Sequence, residues 1–288
     1  MKSVNSLSGG KTSSYIAANY PADYNVFALV RTDDKNCMFP DKKIRQQVSD
    51  RIGTEFIGTL EDDVIIYTML DLEQFIGKKI DWITGKTFDD VVLQKGGEGK
   101  TYLPQSNMRF CTSEMKLKPM KEWWYKNIRE VCEMRIGFRA NEMNRGKTML
   151  DKQNSYGFLE DKFVVGKSAG GRNKWKNLEW QTARFPLIED AIFKDKIESF
   201  WKGKPVRFAW VNNCVGCMGA TPFYIKYQYK KNKNKIEWFI KQEKKFLKDY
   251  GRTWKINGLS IEDMLKYKEQ IELFDEDFNS CDSGGCGL

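Results

Sequence analysis

The chain has 288 residues, of which 41% are hydrophobic, and it carries 48 Lys and Arg against 39 Asp and Glu, a formal charge of +9. That size supports one substantial core, or one core with a smaller appended region, and no apolar run reaches the roughly 18 residues a membrane span needs. There is no histidine, so the usual general base near neutral pH and the commonest metal-ligating side chain are both excluded, and a metal would have to be held by cysteine, carboxylate or backbone.

Met1-Lys2-Ser3 leads straight into an apolar strand rather than a signal peptide, which makes a cytoplasmic protein without a membrane partner the expectation. Ser3 to Leu7 reads as a short buried strand, and Ser13 to Ala18 as the first turns of a helix. Between them Ser8-Gly9-Gly10-Lys11-Thr12-Ser13 has the makings of a phosphate cradle. Glycines let backbone N–H groups approach an anion, hydroxyls add donors, the helix N-terminus adds partial positive charge, and Lys11 can neutralise phosphate. It is not a Walker A loop, which needs GxxxxGK[ST].

Asn25 to Arg31 is a second strand ending at Thr32-Asp33-Asp34; a helix follows over Asp41 to Ile52, and Thr54 to Gly58 reads as a third short strand. Strands alternating with helices predict an α/β fold, a parallel sheet covered on both faces, with ligands beyond the carboxyl ends of the strands, where Ser8 to Ser13 and Thr32 to Asp34 would meet. Glu61 to Gly77 and Phe88 to Gln94 read as helices, and Gly96 to Lys100 as a flexible turn, because no buried strand precedes it. Ser113 to Asn127 is a helix with Trp123 and Trp124, Cys132 to Ile136 a strand, and Asn144 to Asn177 a long surface excursion. Phe185-Pro186-Leu187-Ile188 leads to a helix from Lys194 to Trp201.

Tyr224 to Lys248 is a basic helical stretch carrying Tyr227, Tyr229, Trp238 and Phe246. Two readings stay open for it: a grip on nucleic acid, or an amphipathic helix with lysines in water and aromatics in the core. Of the seven cysteines, Cys37 and Cys132 have the weaker claims to chemistry, Cys132 reading as a core thiol on a strand, whereas Cys111, the pair Cys214-Val215-Gly216-Cys217 and Cys286 near the C-terminus suggest metal binding or thiol chemistry.

Several of these segments fall in a familiar order. Ser8 to Ser13 resembles the SGGxxS PP-loop of the ATP pyrophosphatases, Arg109 to Pro119 the cysteine-lysine-proline segment of the phosphoadenosine phosphosulfate (PAPS) reductase family, and Ile136 to Glu142, followed by Arg145, its G-[IF]-R-x-[DE] segment. Phe185 to Ile188 resembles the family's [NY]PL segment, and Asn213 to Cys217 its CxxC. The resemblance implies an adenine nucleotide alpha hydrolase-like (HUP-type) domain over residues 1–220, with a basic helical, cysteine-containing region over 221–288. It implies ATP on Ser8, Gly9, Gly10, Lys11, Thr12 and Ser13, Asp33 or Asp34 near ribose or metal, and Arg139, Arg145 and Lys116 converging on an anion, with Glu142 orienting an arginine or holding Mg²⁺.

It also implies a [4Fe–4S] cluster, with zinc as the alternative, on Cys111, Cys214 and Cys217. A double cysteine is expected where this chain has Phe110-Cys111, so three thiolates are evident; one iron is then left open for sulfur, as in the sulfur-transfer PP-loop enzymes this resembles, or Cys281, Cys286 or an oxygen ligand is the fourth. The complete SGGKTS favours an enzyme that hydrolyses ATP to AMP and pyrophosphate, adenylylating a substrate for sulfur transfer of the nucleic-acid thiolation kind. The alternatives are a PAPS or adenylyl sulfate reductase with Cys286 as nucleophile, and a nucleic-acid-binding protein with a degenerate nucleotide site. Partners implied are the nucleotide, a nucleic acid or protein sulfur donor, and a second copy in a homodimer.

Overall fold

The computed structural model describes residues 1–105, 108–254 and 258–267. Strand β1 (Ser3–Leu7) pairs in parallel with β2 (Tyr24–Leu29), Val4 opposite Tyr24 and Leu7 opposite Phe27. Because side chains alternate across a strand, Val4 and Val26 enter one apolar layer while Leu7, Phe27 and Leu29 enter the other. Burial on both faces is what a central strand of a parallel sheet requires. Asn5, buried between them, donates to the Asn25 side chain and to the Tyr20 carbonyl, each at 3.0 Å, and so ties the two strands together.

The sheet has six strands in the order β3-β2-β1-β4-β6-β5, where β3 is Ile80–Thr84, β4 Cys132–Arg135, β5 Leu159–Lys167 and β6 Asn173–Arg184; only the β5–β6 pair is antiparallel. Helices α1 (Lys11–Asn19) and α3 (Val64–Ile76) pack on one face through Ile16, Ile65 and Met69. On the other lies a helix that enters through Phe110–Thr112, widens into π-type bonding over Ser113–Leu117 and continues as α5 (Lys118–Asn127), burying Trp123 and Trp124. Pro119 has no N–H to give to the ladder, which accounts for the widening just before it.

Two expectations are corrected. Thr54 to Gly58 follows α2 (Lys42–Ile52) as extended chain and is not a sheet strand; Gly58 makes isolated bridges to Thr32 and Met38, and a Cβ there would stand 2.0 Å from the Cys37 carbonyl oxygen. The crossover from β2 is completed only by α3, so the neighbouring strand is β3, whose alternating Ile80-Asp81-Trp82 pattern belongs to a half-exposed sheet edge. Asn144 to Asn177 is not one irregular excursion: it holds α6 (Met143–Leu150) and most of the β5–β6 hairpin. Its polarity misleads because much of the hairpin projects into water on both faces.

A third apolar cluster closes the molecule. It joins Val30, Leu60, Phe88 and Val91, the last two on α4 (Phe88–Gly96), to Tyr224 and Ile225 on α9 (Pro222–Lys231), to Trp238, Phe239 and Phe246 on α10 (Lys233–Tyr250), and to Ile261 on α11 (Ile261–Lys266). Residues on both sides of position 220 therefore share one core. The intervening helices are α7 (Pro186–Glu189) and α8 (Lys194–Trp201). Among the described residues no helix is long and apolar enough to cross a membrane.

Candidate functional site

The loop Ser8 to Ser13 leaves the carboxyl end of β1 and enters α1 with Gly10 at the N-cap, which has no side chain to satisfy the first-turn amides. Gly9 has φ +84°, and a Cβ on it would stand 2.5 Å from Cγ2 of Ile65, so conformation and space both require glycine. Inside the loop the Ser8 N–H donates to Ser13 Oγ (3.2 Å), the two hydroxyls lie 3.1 Å apart, and Ser13 Oγ donates to the Gly10 carbonyl (3.2 Å). Asn212 Nδ2 donates to Ser8 Oγ at 3.0 Å.

Beside this loop opens a cleft of 620 Å³ whose lining includes Gly10, Lys11, Thr12 and Arg139, together with Trp210 and Asn212 from the segment that precedes the CxxC. Its size is within the range of small-molecule and cofactor sites. Lys11 is ion-paired with Glu198 of α8, while its backbone carbonyl accepts from Trp201 Nε1 at 2.9 Å. Arg139 follows Gly137, whose Cα abuts the loop: a Cβ built there would be 3.4 Å from the Ser13 nitrogen. Glu142 Oε2 accepts from the Arg139 backbone N–H (3.0 Å) and from Arg139 Nε (3.1 Å), and its other oxygen accepts from Arg145. Arg145 also lies over the Phe138 ring, 4.5 Å from its centroid. Glu142 thus orients both arginines, and of the three only Arg139 lines the cleft.

Asp33 and Asp34 stand elsewhere. The exposed Asp33 donates its N–H to Asp89 (3.0 Å), and Asp34 caps the short 3₁₀ turn Lys35–Cys37 by accepting from Asn36. Lys116 also lies away from the cleft, donating to Glu61 Oε1 at 2.9 Å. Glu61 is 2% exposed, and its Oε2 has no hydrogen-bond partner among the described residues. Cys214 bridges to Glu61 across an antiparallel contact, and Val215 N–H donates to the Leu60 carbonyl at 2.9 Å.

Cys111, Cys214 and Cys217 come from segments a hundred residues apart in sequence yet share one neighbourhood. Burial pushes the Cys111 thiol up to about 11, with Cys217 adding to the rise and Lys116 opposing it. Burial also holds Cys214 well above an ordinary thiol, helped by Glu61 and Cys217. Cys37 and Cys132 sit apart as buried thiols, each raised to about 12 mainly by burial. The turn between Cys214 and Cys217 is closed by the Cys217 N–H donating to the Cys214 carbonyl (3.0 Å) and packs its Gly216 directly on Phe239.

The chemistry of the three thiols fits a soft metal or an iron–sulfur cluster, and the orphaned Glu61 Oε2 nearby is an oxygen donor that could complete the set. As they stand, no group of three or more Cys, Asp or Glu among the described residues is gathered to hold a metal ion. Cys281 and Cys286 lie outside the described residues. In the basic helices Trp238 and Phe246 are buried, as amphipathic packing requires, so neither ring is offered to a base.

Sequence reasoning missed Glu198, Glu61 and Asn212. Asn212 was legible as a polar neighbour of the CxxC, but nothing in the sequence separates Glu198 from an ordinary helical surface carboxylate. Comparison with protein-family models, with curated proteins and with solved structures finds no match.

Proposed function

We propose that this chain is a PP-loop ATP pyrophosphatase of the PAPS reductase family, with a HUP-type sheet, that adenylylates an acceptor and passes sulfur to it. One observation carries the reading: the cleft at the carboxyl end of β1 is bounded by Gly10, Lys11, Thr12 and Arg139, a glycine turn, a helix N-terminus and two cations. In this reading the amides of the loop and Lys11 hold the phosphates of the ATP, which would arrive as its Mg²⁺ complex. An acceptor oxygen attacks the α-phosphorus, the bond to the bridging oxygen of the β-phosphate breaks, and pyrophosphate leaves with its charge balanced by Lys11 and Arg139. Positioning and electrostatics suffice for such a step, and no histidine is required.

The Asn212 bond to Ser8 lies two residues before Cys214, which brings the CxxC segment to the nucleotide loop and supports coupling to sulfur chemistry. Cys111, Cys214 and Cys217 would hold the cluster or zinc, which when bound would supply a thiophilic site for the donor sulfur. In the sulfur step a donor sulfur forms the new bond to the acceptor atom while the bond to the adenylyl oxygen breaks, AMP taking the electron pair.

The test is single-turnover formation of AMP from α-³²P-labelled ATP and of pyrophosphate from γ-³²P-labelled ATP, together with ATP affinity. Lys11→Ala and Ser8→Ala are each expected to weaken ATP binding or pyrophosphate release by tenfold or more, on the order of the loss of one charge-assisted contact. Unchanged affinity and turnover in both variants would falsify the cradle. Sulfite released by the wild type from PAPS or adenylyl sulfate, without ATP, would establish the reductase instead.

A further inference from the structure

The β5–β6 hairpin carries charge that the nucleotide cleft does not use. β6 pairs with β4 only over Gln181 to Arg184, whereas its pairing with β5 continues out to Asn173 opposite Lys167. Beyond the Phe163–Lys176 pair the hairpin leaves the core, and its two strand ends and turn from Val164 to Trp175 project as an almost wholly exposed two-stranded ribbon. Its root is firmly held: Phe163 and Trp180 are buried against Trp124, and the root charges are paired, Asp161 with Lys121 and Arg184 with Glu189.

Beyond the root the pattern changes. Residues 162–178 contain no carboxylate and five cations, Lys162, Lys167, Arg172, Lys174 and Lys176, all exposed. None of the five is ion-paired among the described residues, although most arginines of the sheet and cleft are. Trp175, opposite Val164, is 59% exposed in the middle of them. A surface that keeps five like charges together without counter-ions and sets an indole among them is built for a polyanion.

The register says which polyanion. Lys162 pairs with Asn177 and Lys167 with Asn173, on the face that carries Val164 and Trp175, whereas Lys174 and Lys176 point to the opposite face. A flat anionic bilayer meets one face of a ribbon. A groove with phosphates along both walls meets both, and a major groove about 12 Å wide admits a two-stranded ribbon. We infer that the β5–β6 hairpin is a nucleic-acid-binding arm that enters the groove of a duplex, with its cations on the phosphates and Trp175 against the groove floor. This goes beyond the ATP reading and does not depend on it.

The experiment is fluorescence anisotropy of the full chain with a fluorescein-labelled 20-base-pair duplex between 50 and 200 mM salt. The variant Lys167→Gln, Arg172→Gln, Lys174→Gln, Lys176→Gln, whose fold is checked by circular dichroism, is expected to raise Kd at least tenfold. It should also shrink the slope of log K against log salt by up to about 3.6, since each of four phosphate contacts contributes about 0.9. Trp175→Ala is expected to weaken binding severalfold with the slope retained. Lys241→Gln, Lys244→Gln, Lys245→Gln, Lys248→Gln on α10 removes the same charge elsewhere and should change Kd less than threefold. An equal loss in that control assigns binding to net charge and overturns the arm, as does an unchanged Kd and slope in the arm variant. Tighter arm-dependent binding to the single strand, or arm-dependent binding to vesicles with 30% phosphatidylserine and none to the duplex, overturns the groove assignment. ATP turnover enters none of these readouts, so the two proposals stand or fall separately.

Discussion

Lys11 is held by Glu198, so under the proposed ATP reading an incoming triphosphate has to displace that carboxylate from the lysine. Both side chains are more than a third exposed, so the pair contributes little to folding, but in the cleft Glu198 both occupies Lys11 and repels phosphate. Glu198→Gln is expected to tighten ATP binding about two- to fivefold, measured by calorimetry with a non-hydrolysable analogue; weaker binding would mean that the carboxylate helps hold the nucleotide or its Mg²⁺. The cysteines divide in the same residue-by-residue way. Cys132 is fully buried and its Sγ contacts the Trp180 carbonyl at 3.4 Å, whereas Cys111, Cys214 and Cys217 share one neighbourhood. Serine is a poor ligand for soft metals. Cys111→Ser, Cys214→Ser and Cys217→Ser should each lose iron or zinc on anaerobic purification, and Cys132→Ser should keep it; a full metal complement in Cys214→Ser would remove that residue from the ligand set. Ser8, Lys11 and the CxxC were legible from sequence because their chemistry is local. Glu61 and Glu198 were not, because a carboxylate on a loop or helix acquires its partner only when distant chain folds against it.

Among the elements, the turn from Cys214 to Cys217 shows how packing fixes a site. A Cβ on Gly216 would lie 2.3 Å from Cγ and 2.8 Å from Cβ of Phe239, a side chain stacked between the helices and Trp254 and unable to yield. Gly219, two residues beyond the turn, has nothing within 4 Å of the same position. Gly216→Ala is therefore expected to cost about 1–3 kcal/mol or more, a fall in Tm of several degrees, and to disturb metal retention, while Gly219→Ala stays near wild type. Equal melting temperatures for the two would show that α10 can retreat from the turn. Element prediction worked where burial is two-sided: the apolar run of β2 and the strand–turn–helix from β1 to α1 were readable from pattern alone. It failed at Thr54 to Gly58 and at the hairpin for opposite reasons. The first is apolar enough for a strand but is used as a loop brace beside Cys37, and the second pairs as strands while its outer half stays in water, so no apolar alternation marks it.

Across the whole molecule, the family resemblance implies a division at residue 220, yet one apolar cluster draws on residues from both sides of that point. Apart from Lys235 the lysines of α10 are exposed, and Ile236, Trp238, Phe239 and Phe246 on its inner face are 0–3% exposed. Burying such side chains contributes about 1.5–3 kcal/mol each, so these four amount to roughly 6–12 kcal/mol. That is comparable to the entire net stability of a typical domain, about 5–15 kcal/mol. Lys235, 4% exposed, adds a polar tie by donating to the Glu61 carbonyl at 2.8 Å and to Asp63 at 2.6 Å, on the segment that leads into α3. A chain ending at Ala220 would leave Val30, Leu60, Phe88 and Val91 facing water and Asp63 without its lysine. Residues 1–220 expressed alone should therefore lack a cooperative thermal transition and bind a hydrophobic dye, whereas the full chain should melt in a single calorimetric transition. A truncated chain that melts cooperatively within a few degrees of the full one would show instead that α9 to α11 dock onto a sheet domain already complete without them.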